Sequence, residues 1–265
     1  MLTVSELYIY PVKSLGGFNV NEATLTDRGF EHDRRWMLVD ENNVFLSQRE
    51  LSAMALLRVK LNDDGLEIYH TQKDTERIAV LFENDTIEKL RVRIWHDECD
   101  AIAVNKTIDD WFSEMLSVKC RLVYMPESSN RFVEKPYAQD NEITSFSDAY
   151  PILMIGQSSL DDLNGRLAQS LPMNRFRPNI VFTGGTPFQE DEIKSFTIND
   201  IAFSCAKPCS RCIITTIDQQ TGNKNKEPLK TLSTYRMRNN KIHFGQNILY
   251  KSSGIVRIGD EMRLL

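Results

Sequence analysis

Leu57-Arg58-Val59-Lys60-Leu61, Asn62-Asp63-Asp64-Gly65 and Leu66-Glu67-Ile68-Tyr69 follow one another as two β-prone arms around a turn, and this hairpin decides the fold class. Asp-Gly favours the positive φ that a tight reversal between antiparallel strands needs. Working outward, residues 4–10 carry Leu7 and Ile9 two apart and end at Pro11, as a strand would. Residues 36–39 and 44–46 predict a second strand pair across the polar turn 40–43. The first third therefore reads as antiparallel β. Further short strands are expected at 152–155, 179–182, 213–217 and 254–258, with one more hairpin over 196–203.

Helices are few. Thr107 resembles an N-cap, with Asp110 three residues on, leading into residues 111–116. Ser159 is expected to cap a second helix with Leu160, Leu163 and Leu167 on one face, and Pro228 to open a third carrying Leu229, Leu232 and Tyr235. The expected fold is mainly β, of α+β character. At 265 residues the chain can form two modest domains. The junction is expected near residues 117–125, dividing the chain into 1–120 and 121–265.

Hydrophobic residues make up 41%, charged residues 26%, and the formal charge is -5, an ordinary globular mixture that argues against nucleic acid as the main ligand. No apolar run approaches the roughly 20 residues that span a bilayer, and residues 1–6 lack the basic and apolar regions of an export signal. A cytoplasmic protein without membrane contact is expected. With no export signal, a disulfide framework is not expected from the five cysteines.

Three of those five, Cys205, Cys209 and Cys212, fall within eight residues. A structural zinc site needs four ligands, and no second C-x-x-C or H-x-x-x-H accompanies this one. A thioredoxin-like pair would open a helix, whereas this pair leads into the β-branched residues 213–217. A ferredoxin loop would need four cysteines at another spacing. Arg211 precedes Cys212, and a thiolate beside a cation is a better soft-metal ligand. Buried thiols beside a strand and a metal-binding thiolate both remain open on these residues alone. The histidines 32, 70, 96 and 243 show no ligand spacing, although His32 adjoins Asp33-Arg34. Trp36, Trp95 and Trp111 read as core aromatics, and Gly184-Gly185 as a tight turn.

Around the cysteines stand Cys209-Ser210-Arg211-Cys212, Thr215-Thr216-x-Asp218-x-x-Thr221-Gly222 and Glu227-Pro228-Leu229-x-Thr231-Leu232-x-x-Tyr235-Arg236. Elsewhere, in order, come Tyr10-Pro11-Val12-Lys13-Ser14, Asp33-Arg34-Arg35-Trp36, Phe176-Arg177-Pro178-Asn179-Ile180, Phe244-Gly245-Gln246-Asn247 and Gly259-Asp260. This set resembles the MOSC superfamily over nearly the whole chain. Within it the resemblance is to the branch of the mitochondrial amidoxime-reducing component and its bacterial YcbX-like relatives. It implies a MOSC N-terminal β-barrel-like domain followed by a MOSC domain with a mixed β-barrel and a few short helices.

The resemblance further implies molybdenum cofactor, a molybdenum dithiolene of a phosphorylated pterin, with Cys212 as the protein ligand to the metal. Cys209 would then lie beside the site, and Cys205 would pack in the core. Lys13, Ser14, Arg34, Arg177 and Asn179 are the implied pterin or phosphate contacts, joined by Ser147, Arg211 and Asn247. Asp148 corresponds to a family aspartate beside the metal that positions a proton, while Ala149 and Tyr150 depart from the hydroxyl residues of some relatives. Ser47-Gln48-Arg49 matches a Thr-x-Arg element loosely, which makes Arg49 a minor candidate. The implied reaction is two-electron reductive cleavage of the N–O bond of an N-hydroxylated small molecule. No ferredoxin cysteine set follows Gly259-Asp260 in this sequence, so either electrons are expected from a separate protein, ferredoxin-like or a flavin reductase, or the chain is a fragment of a longer one. A different class remains as the alternative, a cofactor carrier or sulfur-transfer module. A zinc or redox cysteine module without pterin is a third.

Overall fold

The structure is a computed structural model that describes residues 1–83, 86–138 and 140–265. It is mainly β, as expected, and its centre is a closed barrel of seven strands. In order around the barrel these are Ile152–Gly156, Ile180–Thr183, Leu2–Ile9, Glu261–Leu264, Ser195–Ile198, Ile201–Ser210 and Lys241–Tyr250, the last pairing back onto the first. Closure leaves these strands with no free edge. Only Ile152–Gly156 and Ile180–Thr183 run parallel in the barrel. A parallel pair needs a long crossover, and the helix α2, here Gln157–Arg166, lies within it. The barrel interior is filled by Leu7, Phe182, Phe196, Phe203 and Ile248, all essentially inaccessible.

The first strand of the chain is thus a stave in a barrel otherwise made of residues 152–264. Between them the chain builds two further sheets. Leu57–Asn62, Gly65–His70 and Lys73–Leu81 form a meander whose first turn is the expected hairpin. Lys89–Ile94, Asp97–Ala103, Arg121–Tyr124 and Trp36–Val39 form an antiparallel sheet. A helix at Lys106–Leu116, designated α1 because it precedes α2, packs Ile108, Phe112 and Leu116 against Leu57, Val59 and Ile68. Those three residues are four apart, so one face of the helix carries the burial.

Several local expectations are corrected. Residues 213–217 are not a strand: Ile213–Thr216 form a 3₁₀ turn. Thr215 Oγ1 donates to the Cys212 carbonyl at 3.0 Å and Thr216 Oγ1 to the Ile213 carbonyl at 2.7 Å, so the hydroxyls that raise β propensity here back-bond the turn. The 44–46 arm reduces to two isolated bridges, Val39 with Phe45 antiparallel and Val44 with Arg93 parallel, and Trp36–Val39 takes Arg121–Tyr124 as its ladder partner. The cap of α1 is Asn105, whose side chain accepts from Ile108 N at 3.0 Å, rather than Thr107. Ser159 lies inside α2 and donates to the buried Glu190 at 2.8 Å. The third helix, α3, is short, Leu229–Ser233 after Pro228. Among the described residues no helix is long and apolar enough to cross a membrane.

Candidate functional site

Loops from one end of the barrel and from the N-terminal sheets converge on a cleft with a cavity volume of about 150 Å³. Leu2–Ile9 continues into the loop carrying Lys13 and Ser14. That loop is zipped to the one carrying Arg34: Tyr10 N donates to Asp33 Oδ1, Arg34 N to the Tyr10 carbonyl and Lys13 N to the Trp36 carbonyl, each at 2.8 Å. Ser147 and Asp148 precede the Ile152–Gly156 strand, and Arg177 and Asn179 precede Ile180–Thr183. Ile201–Ser210 delivers the cysteines. Its pairing with Lys241–Tyr250 shifts register at Cys205/Lys207 and again at Pro208/Ser210, bulges of the kind that re-aim side chains near functional sites.

All ten residues singled out in the sequence line this cleft: Lys13, Ser14, Arg34, Ser147, Asp148, Arg177, Asn179, Arg211, Cys212 and Asn247. Ser14, Arg34 and Arg177 hold left-handed backbones, with φ of 67°, 51° and 55°. Non-glycine residues in that region are uncommon and cluster where surrounding structure over-determines them. The buried Asn179 ties them together. Its Oδ1 accepts from Arg34 Nη1 at 3.0 Å and from Leu153 N at 3.2 Å, and its Nδ2 donates to the Tyr8 carbonyl at 3.2 Å. Arg177 Nη1 donates to the Leu15 carbonyl at 2.7 Å. Both guanidinium groups pack on the Tyr10 ring, 4.5 and 4.3 Å from its centroid.

The cation beside Cys212 is not its sequence neighbour. Arg211 turns to Cys209, 3.1 Å from its sulfur, and donates to the Phe176 carbonyl at 2.6 Å. Arg49 reaches Cys212 instead, with Nη2 3.3 Å from Sγ. The minor candidate of the sequence thus becomes the contact of the central thiol. Gln48, one residue earlier, donates to the Ser14 carbonyl at 2.7 Å and pairs with the buried Gln219, fixing the segment that carries Arg49. Cys205 lies on the barrel core, where burial pushes its thiol up to about 12; burial likewise lifts Cys99 and Cys120 to about 11.

Lys13 Nζ stands 2.7 Å from Asp148 Oδ1. Burial pulls the lysine down to about 8, against the attraction of Asp148. Burial alone would raise the Asp148 carboxyl, but Lys13 and Arg49 hold it well below the usual carboxylate range, so it is ionised at neutral pH and accepts rather than carries a proton. Burial also lowers Arg177 to about 10. Arg131, which no sequence signal marked, is buried and donates to the carbonyls of Ser145, Ser147 and Asp148 at 3.0, 2.6 and 2.7 Å, locking the Asp148 loop. Trp95 is not a core aromatic. It is 41% exposed and donates from Nε1 to Asp148 Oδ1 at 3.3 Å, whereas Trp36 is buried. His32 stacks on Phe82, 4.7 Å between centroids, and is not part of the cleft lining.

Five cations, Lys13, Arg34, Arg49, Arg177 and Arg211, line the cleft against two carboxylates, Asp148 in the lining and the buried Asp33 paired to Arg34, and Arg211 Nε is buried without a partner. Desolvated cations in excess call for an anion. Among the described residues no group of three or more His, Cys, Asp or Glu side chains gathers to hold a metal. The donor set fits an anionic, phosphate-bearing cofactor whose metal takes one thiolate from the protein.

Residues 1–119 match the MOSC N-terminal beta barrel domain and residues 141–263 the MOSC domain. The chain is 30% identical over 282 residues to mitochondrial amidoxime-reducing component 1 of Mus musculus, covering 99% of this chain and 82% of that protein. It is 30% identical over 278 residues to mitochondrial amidoxime reducing component 2 of Rattus norvegicus, covering 97% and 82%. Against the molybdenum cofactor sulfurase of Oryza sativa subsp. japonica it is 29% identical over 268 residues, covering 94% of this chain and 32% of that relative. With both domains matched in order and whole-length relatives at this identity, the chain belongs to the MOSC family.

Proposed function

We propose that this chain is a molybdenum-cofactor oxidoreductase that reduces N-hydroxylated compounds. The observation that carries the reading is Cys212 Sγ in a cleft lined by five cations, a soft donor in contact with Arg49 while the neighbouring Cys209 is engaged by Arg211. Lys13, Ser14, Arg34, Arg177, Asn179, Arg211, Ser147 and Asn247 would hold the pterin and its phosphate, and Cys212 would ligate the metal. When bound, the cofactor supplies the two-electron redox chemistry. The chain supplies orientation and protons. For an amidoxime the balance is two electrons and two protons in, with the N–O bond broken to give an amidine and water. Ionised Asp148 orients the N-hydroxyl group by accepting its hydrogen, and Lys13, lowered to about 8, donates one of the two protons toward the departing oxygen, the second coming from solvent. Arg131 keeps Asp148 in place.

Electrons come from a separate donor protein in this reading, and the reaction takes place in the cytoplasm. The division 1–120 and 121–265 is part of the same proposal, with both parts contributing to the cleft. The test is molybdenum and pterin analysis of wild type and Cys212→Ser from a cofactor-competent host, together with amidoxime reduction by an artificial donor. Stoichiometric cofactor and turnover in wild type, with turnover lost in Cys212→Ser, is the expected result. Bound pterin without turnover in wild type identifies a carrier or sulfur-transfer module instead. Equal activity in Cys212→Ser refutes the ligand role.

A further inference from the structure

Trp95 occupies the two-residue tip of the hairpin between Lys89–Ile94 and Asp97–Ala103, where Asn-Gly or Asp-Gly would be the easy choice. Its φ is 55°, a left-handed backbone that a bulky side chain rarely adopts, so turn chemistry does not account for an indole here. Nor does core packing, since the residue is 41% exposed. The indole is nevertheless held firmly. The Arg49 guanidinium lies 4.2 Å from the ring centroid, Phe45 meets it edge-on at 4.7 Å, and Nε1 donates to Asp148. Phe45 is itself covered by Lys13 Nζ, 5.3 Å from its centroid.

One guanidinium therefore separates the indole from the Cys212 thiol: Arg49 packs on Trp95 and contacts Sγ with Nη2 at 3.3 Å. The partly exposed indole thus stands at the rim of the cleft, touching two of its lining residues, Arg49 and Asp148, the second of them assigned to the N-hydroxyl function. A partly exposed aromatic ring held in place by a cation offers offset stacking to a flat, conjugated molecule. An aliphatic molecule of similar size gains little there.

Resting on the reductase reading, we propose that Trp95 forms a stacking wall of the cleft that selects planar, conjugated N-hydroxylated substrates over aliphatic ones. Stacking on a fixed aromatic side chain is worth about tenfold in binding, with up to about a hundredfold at the upper end. The selectivity ratio, kcat/KM for benzamidoxime over kcat/KM for acetamidoxime, reads it directly.

The experiment compares wild type, Trp95→Phe and Trp95→Leu, each loaded with cofactor. The ratio falls about tenfold in Trp95→Leu, carried by KM for benzamidoxime, and Trp95→Phe restores most of it because a ring remains. A second readout does not need turnover: benzamidoxime quenches the indole fluorescence that wild type shows in excess of Trp95→Phe, and acetamidoxime does not. A ratio unchanged in Trp95→Leu, or an equal loss in Trp95→Phe and Trp95→Leu, overturns the wall. If loaded wild type turns over neither amidoxime, the reductase reading fails separately; the wall is then decided by quenching, and absence of benzamidoxime quenching overturns it.

Discussion

Asp148→Asn removes the charge that faces Lys13 while keeping shape and one acceptor. The two groups are 2.7 Å apart, with the lysine side chain 6% and the carboxylate side chain 61% exposed. Between effective dielectrics of 20 and 80, a charge pair at that distance is worth about 6 down to about 1.5 kcal/mol, and the open side of the carboxylate places this pair near the low end, at about 2 kcal/mol. That corresponds to about 1.5 pKa units, so Lys13 falls from about 8 to roughly 6.5 and becomes largely neutral at pH 7.5. Titration of protein carrying 13Cε-labelled lysine, with Lys13→Arg to assign the resonance, measures this midpoint. Stability follows with a definite sign. The folded-state value of Lys13 lies below the ordinary 10.5, so the unfolded chain holds the extra proton and stability rises with pH between about 8 and 10.5. Asp148, held below 3.8, contributes stability above that value which is lost as the pH falls through it. In Asp148→Asn the acid-side loss shrinks and the rise begins near pH 6.5, as urea unfolding across pH would record. A Lys13 midpoint unchanged or raised in Asp148→Asn refutes the electrostatic account of the cleft.

Asn179→Ala strips partners from Arg34 Nη1, Leu153 N and the Tyr8 carbonyl at once, and should cost about 2–4 kcal/mol in urea unfolding; a loss under 1 kcal/mol would show that the clamp is not structural. Glu190 is fully buried, burial pushes its pKa up, and its Oε1 and the Gln246 Oε1 lack partners. The stability this protonated carboxyl gives at acid pH is lost as pH rises through its folded-state value, whereas glutamine does not titrate. Glu190→Gln should therefore be more stable than wild type at pH 8 by about 1 kcal/mol, with the gap closing toward pH 4; a Tm difference independent of pH would contradict this.

The parts of the fold that local chemistry dictates were legible. Asp64-Gly65 announced its hairpin, and Ser195–Ile198 with Ile201–Ser210 formed as the pattern over 196–203 foretold. What failed locally did so because side-chain-to-backbone bonds within the segment outweighed β propensity or the first cap in view: Thr215 and Thr216 back-bond a β-branched run into a 3₁₀ turn, and Asn105 outcompetes Thr107 as a cap. Barrel closure could not be read, since no sequence window contains both Leu2 and Met262, which lie opposite each other. At the site, the motif residues line one cleft. Adjacency misled where geometry mattered: Arg211, beside Cys212 in sequence, turns to Cys209, while Arg49 arrives from 163 positions away. Arg131 and Trp95 gave no signal because an isolated arginine and an isolated tryptophan carry no spacing.

The pairing of Leu2 with Met262 also sets a schedule for the nascent chain. The first strand leaves the ribosome long before either of its barrel neighbours, Ile180–Thr183 and Glu261–Leu264, has been made. Before Ile180–Thr183 emerges it can pair only with Phe18–Val20, and its second edge waits longer, for Glu261–Leu264. Contacts of such long range make folding slow. The cleft inherits that order, because the loop bearing Lys13 and Ser14 is an extension of the waiting strand. The cleft is therefore completed late, once Glu261–Leu264 has sealed Leu2–Ile9 into the barrel.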